Sequence, residues 1–183
     1  MSDRPVPGSS AGRSIPGPGF AGDLGEADPD LRRALTSYAG DPADPAHHLA
    51  VLAALGRARL LVPVVAILGE VEYDEHGRAR EKSSDMATVL LTGHDGRQAL
   101  LGFTGLDTLT AWRPDARSVP VSARDAASSA LQEEAAALLL DVAGPTPYAV
   151  EGEALHGLAR GWSLVQTADG PAWGEPVGPS GQE

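Results

Sequence analysis

The chain has 183 residues, 42% of them hydrophobic and 4% aromatic, with no cysteine and a formal net charge of −11. The charge argues against non-specific nucleic-acid binding, which depends on neutralising phosphates, and the lack of cysteine excludes disulfides, thiol nucleophiles and thiolate metal sites. No apolar run approaches the roughly 20 residues of a membrane span and no apolar signal core begins the chain, so we expect a cytoplasmic protein with neither a membrane nor a nucleic-acid partner.

Composition divides the chain into one domain and two tails. Residues 1–27 are rich in Gly, Pro and Ser and poor in apolar side chains, so they cannot offset the entropy of ordering and are predicted to be disordered. Residues 168–183 are again rich in Gly and Pro, which predicts a flexible tail. Residues 28–167 remain as a single α/β domain, and we expect both tails to be dispensable for its folding.

Two short helices are predicted ahead of the first strand. Each begins at an Asp-Pro pair, at residues 28–29 and 44–45, where Asp caps the helix and Pro takes the first helical position. The nearly continuous, partly β-branched apolar run over residues 60–68 predicts a buried strand. The charged segment 72–85 predicts an exposed loop.

A β-hairpin is the strongest local prediction in the chain. Asp95-Gly96 lies between two apolar runs and favours a two-residue type I′ turn, in which both residues have positive φ. This turn would place Leu90 opposite Leu101 and apolar residues on both faces of the strand pair. Such a pair needs cover on both sides. We therefore predict an α/β domain with a mixed β-sheet, this central hairpin and helices on both faces.

Two helices with polar caps are predicted after the hairpin. Thr104 followed by Asp107 resembles a capping box, and Pro114 ends the helix that it would begin. Residues 118–121 predict a short strand. Ser122 then caps the next helix with its side chain.

Periodicity leaves residues 137–142 open between a helix end and a strand, because they are almost entirely apolar. We favour the strand, since a strand between helical layers is buried on both faces, although Leu and Ala also favour helices. A turn and a second strand at about residues 147–150 would follow.

The first candidate site combines Thr104, Ser122 and Asp141. Asp141 would lie at the carboxyl end of its strand, where open α/β sheets place ligands, and close to Ser122 if the two strands are neighbours. Helix N-termini at the site would favour an anionic ligand. The alternative is a structural role for these residues in caps and turns.

The second candidate site is a protein-interaction surface formed by Trp112, Arg113 and Arg117. Trp and Arg are enriched in binding hot spots, and these three lie close together in the sequence. The alternative is a core tryptophan with two solvated arginines.

The histidines do not predict a metal site. His47 and His48 are adjacent on a helix and so point about 100° apart, and Glu153 with His156 is a single pair where a di-metal site needs two. His94 lies in the hairpin turn. The sequence contains no phosphate-binding loop and no nucleophile elbow, so we expect no metal, no cofactor and no catalytic residue set.

Three stretches resemble the N-terminal domain of the SseB family, and actinobacterial members in particular. They are Leu-Gly-Phe-Thr-Gly over residues 101–105 with the later Trp112, and residues 119–126 and 140–145. The resemblance covers about residues 31–161. It implies a small α/β domain with a strand at 137–142, and it carries over no catalytic residues.

The residues and the resemblance together predict a non-enzymatic regulatory or protein-interaction module that binds another protein. The alternative is a small-molecule sensor or enzyme, with a pocket for an anionic metabolite at the strand ends and helix N-termini near Thr104, Ser122 and Asp141.

Overall fold

Helices and strands alternate along the chain in the computed structural model, which describes residue 20 and residues 22–67, 72–73, 79–80, 85–168 and 170–175. The helices are α1 Pro29–Gly40, α2 Pro45–Leu55, α3 Leu106–Trp112, α4 Ala123–Gln132 and α5 Gly152–Arg160. The strands are β1 Arg59–Ile67, β2 Glu72–Tyr73, β3 Ala79–Arg80, β4 Asp85–Thr88, β5 Leu90–Thr92, β6 Gln98–Gly102, β7 Arg117–Ser122, β8 Ala137–Leu140, β9 Tyr148–Glu151, β10 Ser163–Thr167 and β11 Gly170–Gly174. Within these ranges, no helix has the length and apolar character needed to cross a membrane.

Strand β1 connects two parts of a mixed sheet. It pairs antiparallel with β4 and β7, while β5, β6, β8 and β9 form a second sheet in that order. In this second sheet β6 and β8 are parallel, and the other neighbours are antiparallel. The two parts are continuous because only Val89 separates β4 from β5, and because Leu61 and Phe103 exchange two backbone hydrogen bonds of 2.8 and 2.9 Å.

The side chains of β1 point alternately into two cores. Leu60 lies in the larger core, which is filled by buried residues of α1, α2, α4 and α5. Leu61 lies on the opposite face, in a smaller core with Phe103 and with Leu109 of α3. The predicted fold is confirmed: an α/β domain with a mixed sheet, a central hairpin and helices on both faces.

The helix starts predicted from the two Asp-Pro pairs are confirmed. Asp28 accepts hydrogen bonds from the backbone N–H groups of Asp30 and Leu31, each 2.9 Å long. Asp44 accepts one from Ala46 at 2.8 Å. Each Pro lies in the first turn of its helix, where its missing N–H costs no hydrogen bond.

The hairpin of β5 and β6 forms at the predicted place but with a different turn. Leu90 lies opposite Leu100, one residue away from its predicted partner. The backbone N–H of Gly93 donates to the Arg97 carbonyl at 2.8 Å, so the loop has three residues, and Gly96 has a φ of 80°. In a three-residue loop of this kind only the last residue needs positive φ. The predicted two-residue turn and its register are therefore wrong.

The strand predicted over residues 137–142 is confirmed as the shorter β8, followed by β9. Leu138 and Leu140 lie in the larger core, and Leu139 packs against the smaller core on the other face. Burial between two layers of side chains therefore outweighs the helix propensity of Leu and Ala.

The N-terminal boundary of the ordered domain differs from the prediction. Residues 22–27 were predicted to be disordered, but Asp23 forms an ion pair with Arg59, whose Nη2 donates at 2.7 Å. The Arg59 guanidinium also donates to two backbone carbonyls, one of them in the same segment. Arg59, 36 residues from Asp23, thus holds a segment of low apolar content together with Leu106, whose backbone N–H donates to the Gly25 carbonyl at 2.8 Å. Residues 1–19 and 21 of the predicted tail lie outside the described residues.

The C-terminal boundary differs in the same way. Strand β11 lies inside the predicted flexible tail, and it pairs antiparallel with β10. Its Trp173 lies so close to Gly157 of α5 that a Cβ on this glycine would be 2.5 Å from the indole. One large aromatic side chain therefore orders a segment that is otherwise rich in Gly and Pro. Residues 169 and 176–183 lie outside the described residues.

The charged segment predicted as an exposed loop is described only in part. Strands β2 and β3 pair antiparallel, with Glu72 opposite Arg80, and β4 begins at Asp85. Residues 74–78 and 81–84 lie outside the described residues.

Candidate functional site

A cavity of about 160 Å³ opens at the end of the sheet where the parallel strands β6 and β8 finish. Its wall includes Thr104, two residues after β6, and Asp141, directly after β8. The other polar lining residues come from α1, α3 and the turn between β8 and β9: Arg32, Thr36, Asp107, Thr108 and Thr146. The carboxyl ends of strands in α/β sheets are the usual location of ligand sites.

Asp141 holds Thr104 with both of its carboxylate oxygens. Its Oδ1 accepts the Thr104 N–H at 2.9 Å, and its Oδ2 accepts the Thr104 hydroxyl at 2.8 Å. The two residues are only 4% and 2% exposed, respectively. Thr104 therefore does not cap α3, whose N-cap is Gly105 without a side-chain hydrogen bond. The predicted capping box is wrong: the Thr104 hydroxyl donates to a carboxylate 37 residues away in a charge-assisted bond, and no side chain caps the N-terminus of α3.

The backbone of Asp141 turns sharply at the same point. Its φ is 49°, in the left-handed region, which Asp and Asn adopt more readily than most residues. The N–H of Gly144 donates to the Asp141 carbonyl at 2.7 Å. A Cβ on Gly144 would lie 3.0 Å from the Asp141 Cβ and 3.2 Å from the Thr108 methyl. This tight turn directs the Asp141 carboxylate toward Thr104.

Ser122 does not join this cavity. Its strand, β7, pairs with β1, whereas β8 lies between β6 and β9, so the two strands are not neighbours as the predicted site required. Ser122 caps α4 as predicted, accepting the Asp125 N–H at 3.1 Å and donating to the Asp125 carboxylate at 2.7 Å. Of the three predicted residues, Thr104 and Asp141 come together and Ser122 has only its capping contacts.

An ion pair lies at the mouth of the cavity. Nη2 of Arg32 donates to Oδ2 of Asp107 at 2.7 Å, and both side chains are about half exposed. Partial burial acts to raise the pKa of Asp107, but the hydrogen bond and charge of Arg32, with the backbone N–H of Thr108, lower that pKa below its ordinary value. The pair is therefore ionised at neutral pH and carries no net charge.

Sequence patterns identified Thr104 but not Arg32 or the other three lining threonines, Thr36, Thr108 and Thr146. Arg32 and Thr36 are four residues apart and so share one face of α1, which was a detectable local pattern. The sequence gives no indication that this face meets the turn after β8, because that contact depends on how distant elements pack. Thr108 and Thr146 were missed for the same reason.

The second predicted site is only partly assembled. Trp112 packs against the smaller core, with its ring centroid 5.4 Å from that of Phe103. The guanidinium carbon of Arg113 lies 4.8 Å from the Trp112 ring, in a cation–π contact. Arg117 is exposed at the start of β7, opposite Val64. Trp112 is thus a core residue, and Arg113 stacks on its ring.

The face of the sheet that carries the smaller core also bears a shallow groove of about 200 Å³. Its apolar floor comes from four strands and is called here the open face: Leu91, Ala99, Ala137, Leu139 and Ala149. These residues share one side because they are cross-strand partners, Leu91 with Ala99, Ala99 with Ala137, and Leu139 with Ala149. Leu91 is 40% exposed.

Acidic residues border the open face. Two of them line the groove, Asp95 and Glu151. Arg97 also lines the groove and forms an ion pair with Glu151 at 3.3 Å. Because Arg97 and Glu151 pair, Asp95 is the one uncompensated charge among the described residues of the groove lining.

Two of the histidines, His47 and His48, make structural contacts. Nδ1 of His48 lies 2.6 Å from the Tyr148 hydroxyl, and burial, with a smaller contribution from Tyr38, raises the pKa of the Tyr148 phenol. Nδ1 of His47 lies 3.1 Å from the Asp41 carbonyl oxygen. Among the residues that the structure describes, no three His, Cys, Asp or Glu side chains are grouped so as to hold a metal ion.

Comparison with known proteins gives one family. The family described as SseB protein N-terminal domain matches residues 31–157, from the first turns of α1 to the middle of α5. No curated protein and no solved structure matches the chain.

Proposed function

The chain belongs to the SseB family through its N-terminal domain, and we propose that it acts as a non-enzymatic protein-interaction module in the cytoplasm. The observation that carries this proposal is the open face. It places an apolar floor from four strands on the surface of a sheet whose opposite face is packed with helices.

The exposure of the open face supports a docking role. Sheets of α/β domains usually carry helices on both faces, and α3 contributes to the smaller core at the other end of this face. Leu91 is 40% exposed, and Val65, on the same side of β1 as Leu61, is 44% exposed. Contiguous exposed apolar surface that is bordered by polar residues is typical of interaction sites.

Charge favours one kind of partner. The groove lining has one uncompensated carboxylate, that of Asp95, and the chain carries a net charge of −11, so a second copy would be repelled while a basic partner would be attracted. The partner that fits has an apolar helix face or strand face flanked by Lys or Arg. Small floor residues such as Ala99 and Ala149 allow close approach of its backbone or of its larger side chains.

The alternative of an anionic-metabolite pocket has weaker support. The charged residues that line the cavity near Thr104 are Arg32, Asp107 and Asp141, and the first two neutralise each other in an ion pair. The remaining charge is a carboxylate, which would repel an anion.

Calorimetric titration of the full chain with two synthetic amphipathic peptides tests the proposal. Both peptides carry Leu at helical spacing, and one carries Lys and the other Glu at the polar positions. We expect the Lys peptide to bind, more weakly as salt is added, and the Glu peptide to give no heat of binding. Equal binding of both peptides, or of neither, would refute the proposal.

Three variants locate the binding. Leu91→Asn removes apolar floor, and Ala149→Arg places a positive charge on an exposed floor position; each should weaken binding of the Lys peptide by about tenfold. Val119→Asn is the matched control, because Val119 is 37% exposed on β7 and outside the open face. Unchanged affinity in both floor variants, or an equal loss in the control, would show that the peptide binds elsewhere.

A further inference from the structure

The cavity at the ends of β6 and β8 presents hydrogen-bond acceptors. The hydroxyls of three lining threonines already donate to protein oxygens: Thr36 to the Arg32 carbonyl at 2.9 Å, Thr104 to Asp141 at 2.8 Å and Thr108 to the Gly105 carbonyl at 3.0 Å. A hydroxyl has one proton and two lone pairs. With their protons committed, these threonines can offer a ligand only lone pairs.

The Asp141 carboxylate adds further acceptor capacity and charge. It accepts two hydrogen bonds, both from Thr104, whereas an ionised carboxylate has about four acceptor sites. Asp141 is only 4% exposed, so a ligand in the cavity would meet it with little competing water. In such surroundings an ion pair is stronger than at an exposed surface.

The charged residues that line the cavity give it a net negative charge. Arg32 and Asp107 form an ion pair at the mouth, which leaves the Asp141 carboxylate as the uncompensated charge of the lining. The apolar lining comes from Leu35 and Pro145. The cavity thus combines one negative charge, several acceptors and a small apolar surface.

We propose that this cavity binds a small protonated primary amine. The ammonium group would donate its N–H protons to Asp141 and to the lone pairs of the threonine hydroxyls, and the short carbon chain would contact Leu35 and Pro145. An engineered apolar cavity of about 150 Å³ holds one benzene molecule, so a space of about 160 Å³ suits an amine of only a few carbon atoms. The cavity lies at the carboxyl ends of β6 and β8, whereas the open face includes Ala99 and Ala137 near the amino ends of the same strands. The amine proposal therefore does not depend on the docking role.

Amide NMR of the full chain tests the proposal with propylammonium chloride as the probe, and with propanol and sodium propionate as neutral and anionic controls of similar size. Propylammonium should give saturable shifts at the amides of Thr104, Thr108 and Thr146, and the two controls should not. Saturation by propanol or propionate to the same degree, or the absence of saturable shifts with propylammonium, would overturn the proposal.

Two variants separate the amine site from a general salt effect. Asp141→Asn keeps the shape of the side chain and an acceptor for the Thr104 N–H but removes the charge, and Thr108→Val removes an acceptor hydroxyl of the cavity without altering the Asp141 contacts. We expect the affinity for propylammonium to fall by about tenfold in each. Thr110→Val is the matched control, since Thr110 lies on the exposed side of α3 and bonds only to its own helix. If Thr108→Val and Thr110→Val bind the amine equally well, the proposal is wrong even if Asp141→Asn fails to fold.

Discussion

A single carboxylate, that of Asp141, connects the ends of the parallel strands β6 and β8. It binds both the N–H and the hydroxyl of Thr104, and its own left-handed φ of 49° starts the turn that leads to β9. Because both residues are buried, neither can exchange these bonds for water. The contact therefore fixes the wall of the cavity as well as the junction between β6 and α3.

Asp141→Ala is expected to lower the free energy of unfolding by roughly 3 kcal/mol, because it leaves two buried donors of Thr104 without an acceptor. Asp141→Asn keeps one acceptor and a side chain that tolerates positive φ, so its cost should be smaller. Urea denaturation of both variants, with the exposed Asp115→Ala as control, measures the difference. A cost for Asp141→Ala no larger than that of the control would show that the contact is unimportant.

The ion pair at the cavity mouth predicts a pH dependence of definite sign. The pKa of Asp107 lies below its ordinary value of 3.8, so the stability that it adds is present above the pKa of the unfolded chain and is lost as the pH falls through the lower folded pKa. The gain is under about 1 kcal/mol, since both partners are half exposed. In Arg32→Ala, the Asp107 pKa followed by carboxyl-carbon NMR should rise; an unchanged pKa would contradict the pairing.

Residue-scale predictions succeeded where the partner is a neighbour in the sequence. The caps at Asp28, Asp44 and Ser122 depend on residues two or three positions away, so local patterns suffice. Thr104 showed the same local pattern, yet Asp141 accepts its hydroxyl proton from 37 residues away. A local sequence pattern cannot indicate a hydrogen-bond partner that lies so far along the chain.

At the scale of helices and strands, the hairpin shows which features a turn motif can predict and which it cannot. Asp95-Gly96 located the turn correctly, because Gly96 does adopt positive φ. It did not decide between a two-residue and a three-residue loop, and that difference shifts the pairing so that Leu90 faces Leu100. Both patterns put apolar residues on both faces, so the two-sided cover of the sheet was predictable although the register was not.

The two faces of the sheet should differ in their tolerance of truncation. Leu101 is 1% exposed in the smaller core, so Leu101→Ala should cost about 2–5 kcal/mol. Leu91 is 40% exposed on the open face, and Leu91→Ala should cost less than about 1 kcal/mol. Thermal or urea unfolding of the two variants measures the contrast. Similar losses for both would mean that the open face is covered in solution.

At the scale of the whole molecule, strand order was the part that the sequence could not supply. The predicted contact of Ser122 with Asp141 required β7 and β8 to be neighbours, a condition that the sequence left open. In the structure β7 pairs with β1, and β8 inserts between β6 and β9. Local apolar patterns show which faces of the helices and strands are buried. They do not show which strands are neighbours, because that depends on how all the helices pack together.

The limits of the domain give a further whole-molecule prediction. A fragment of residues 28–167 lacks Asp23, the partner of the nearly buried Arg59 side chain, and lacks β11 with Trp173. We expect its melting temperature to lie at least about 5 °C below that of a fragment of residues 22–175. Calorimetry of both fragments measures the difference. Equal melting temperatures would show that residues 28–167 suffice for the stability of the domain, as composition predicts.

The most direct test of the docking role is an amide NMR map of the full chain with the Lys peptide bound. We expect shifts that are largest at the open face, at Leu91, Ala99, Ala137 and Ala149, and that need about tenfold more peptide to reach saturation in Ala149→Arg. Shifts centred instead on α1 or α3, or spread evenly over the surface, would contradict the claim that this protein docks a basic partner on its uncovered sheet face.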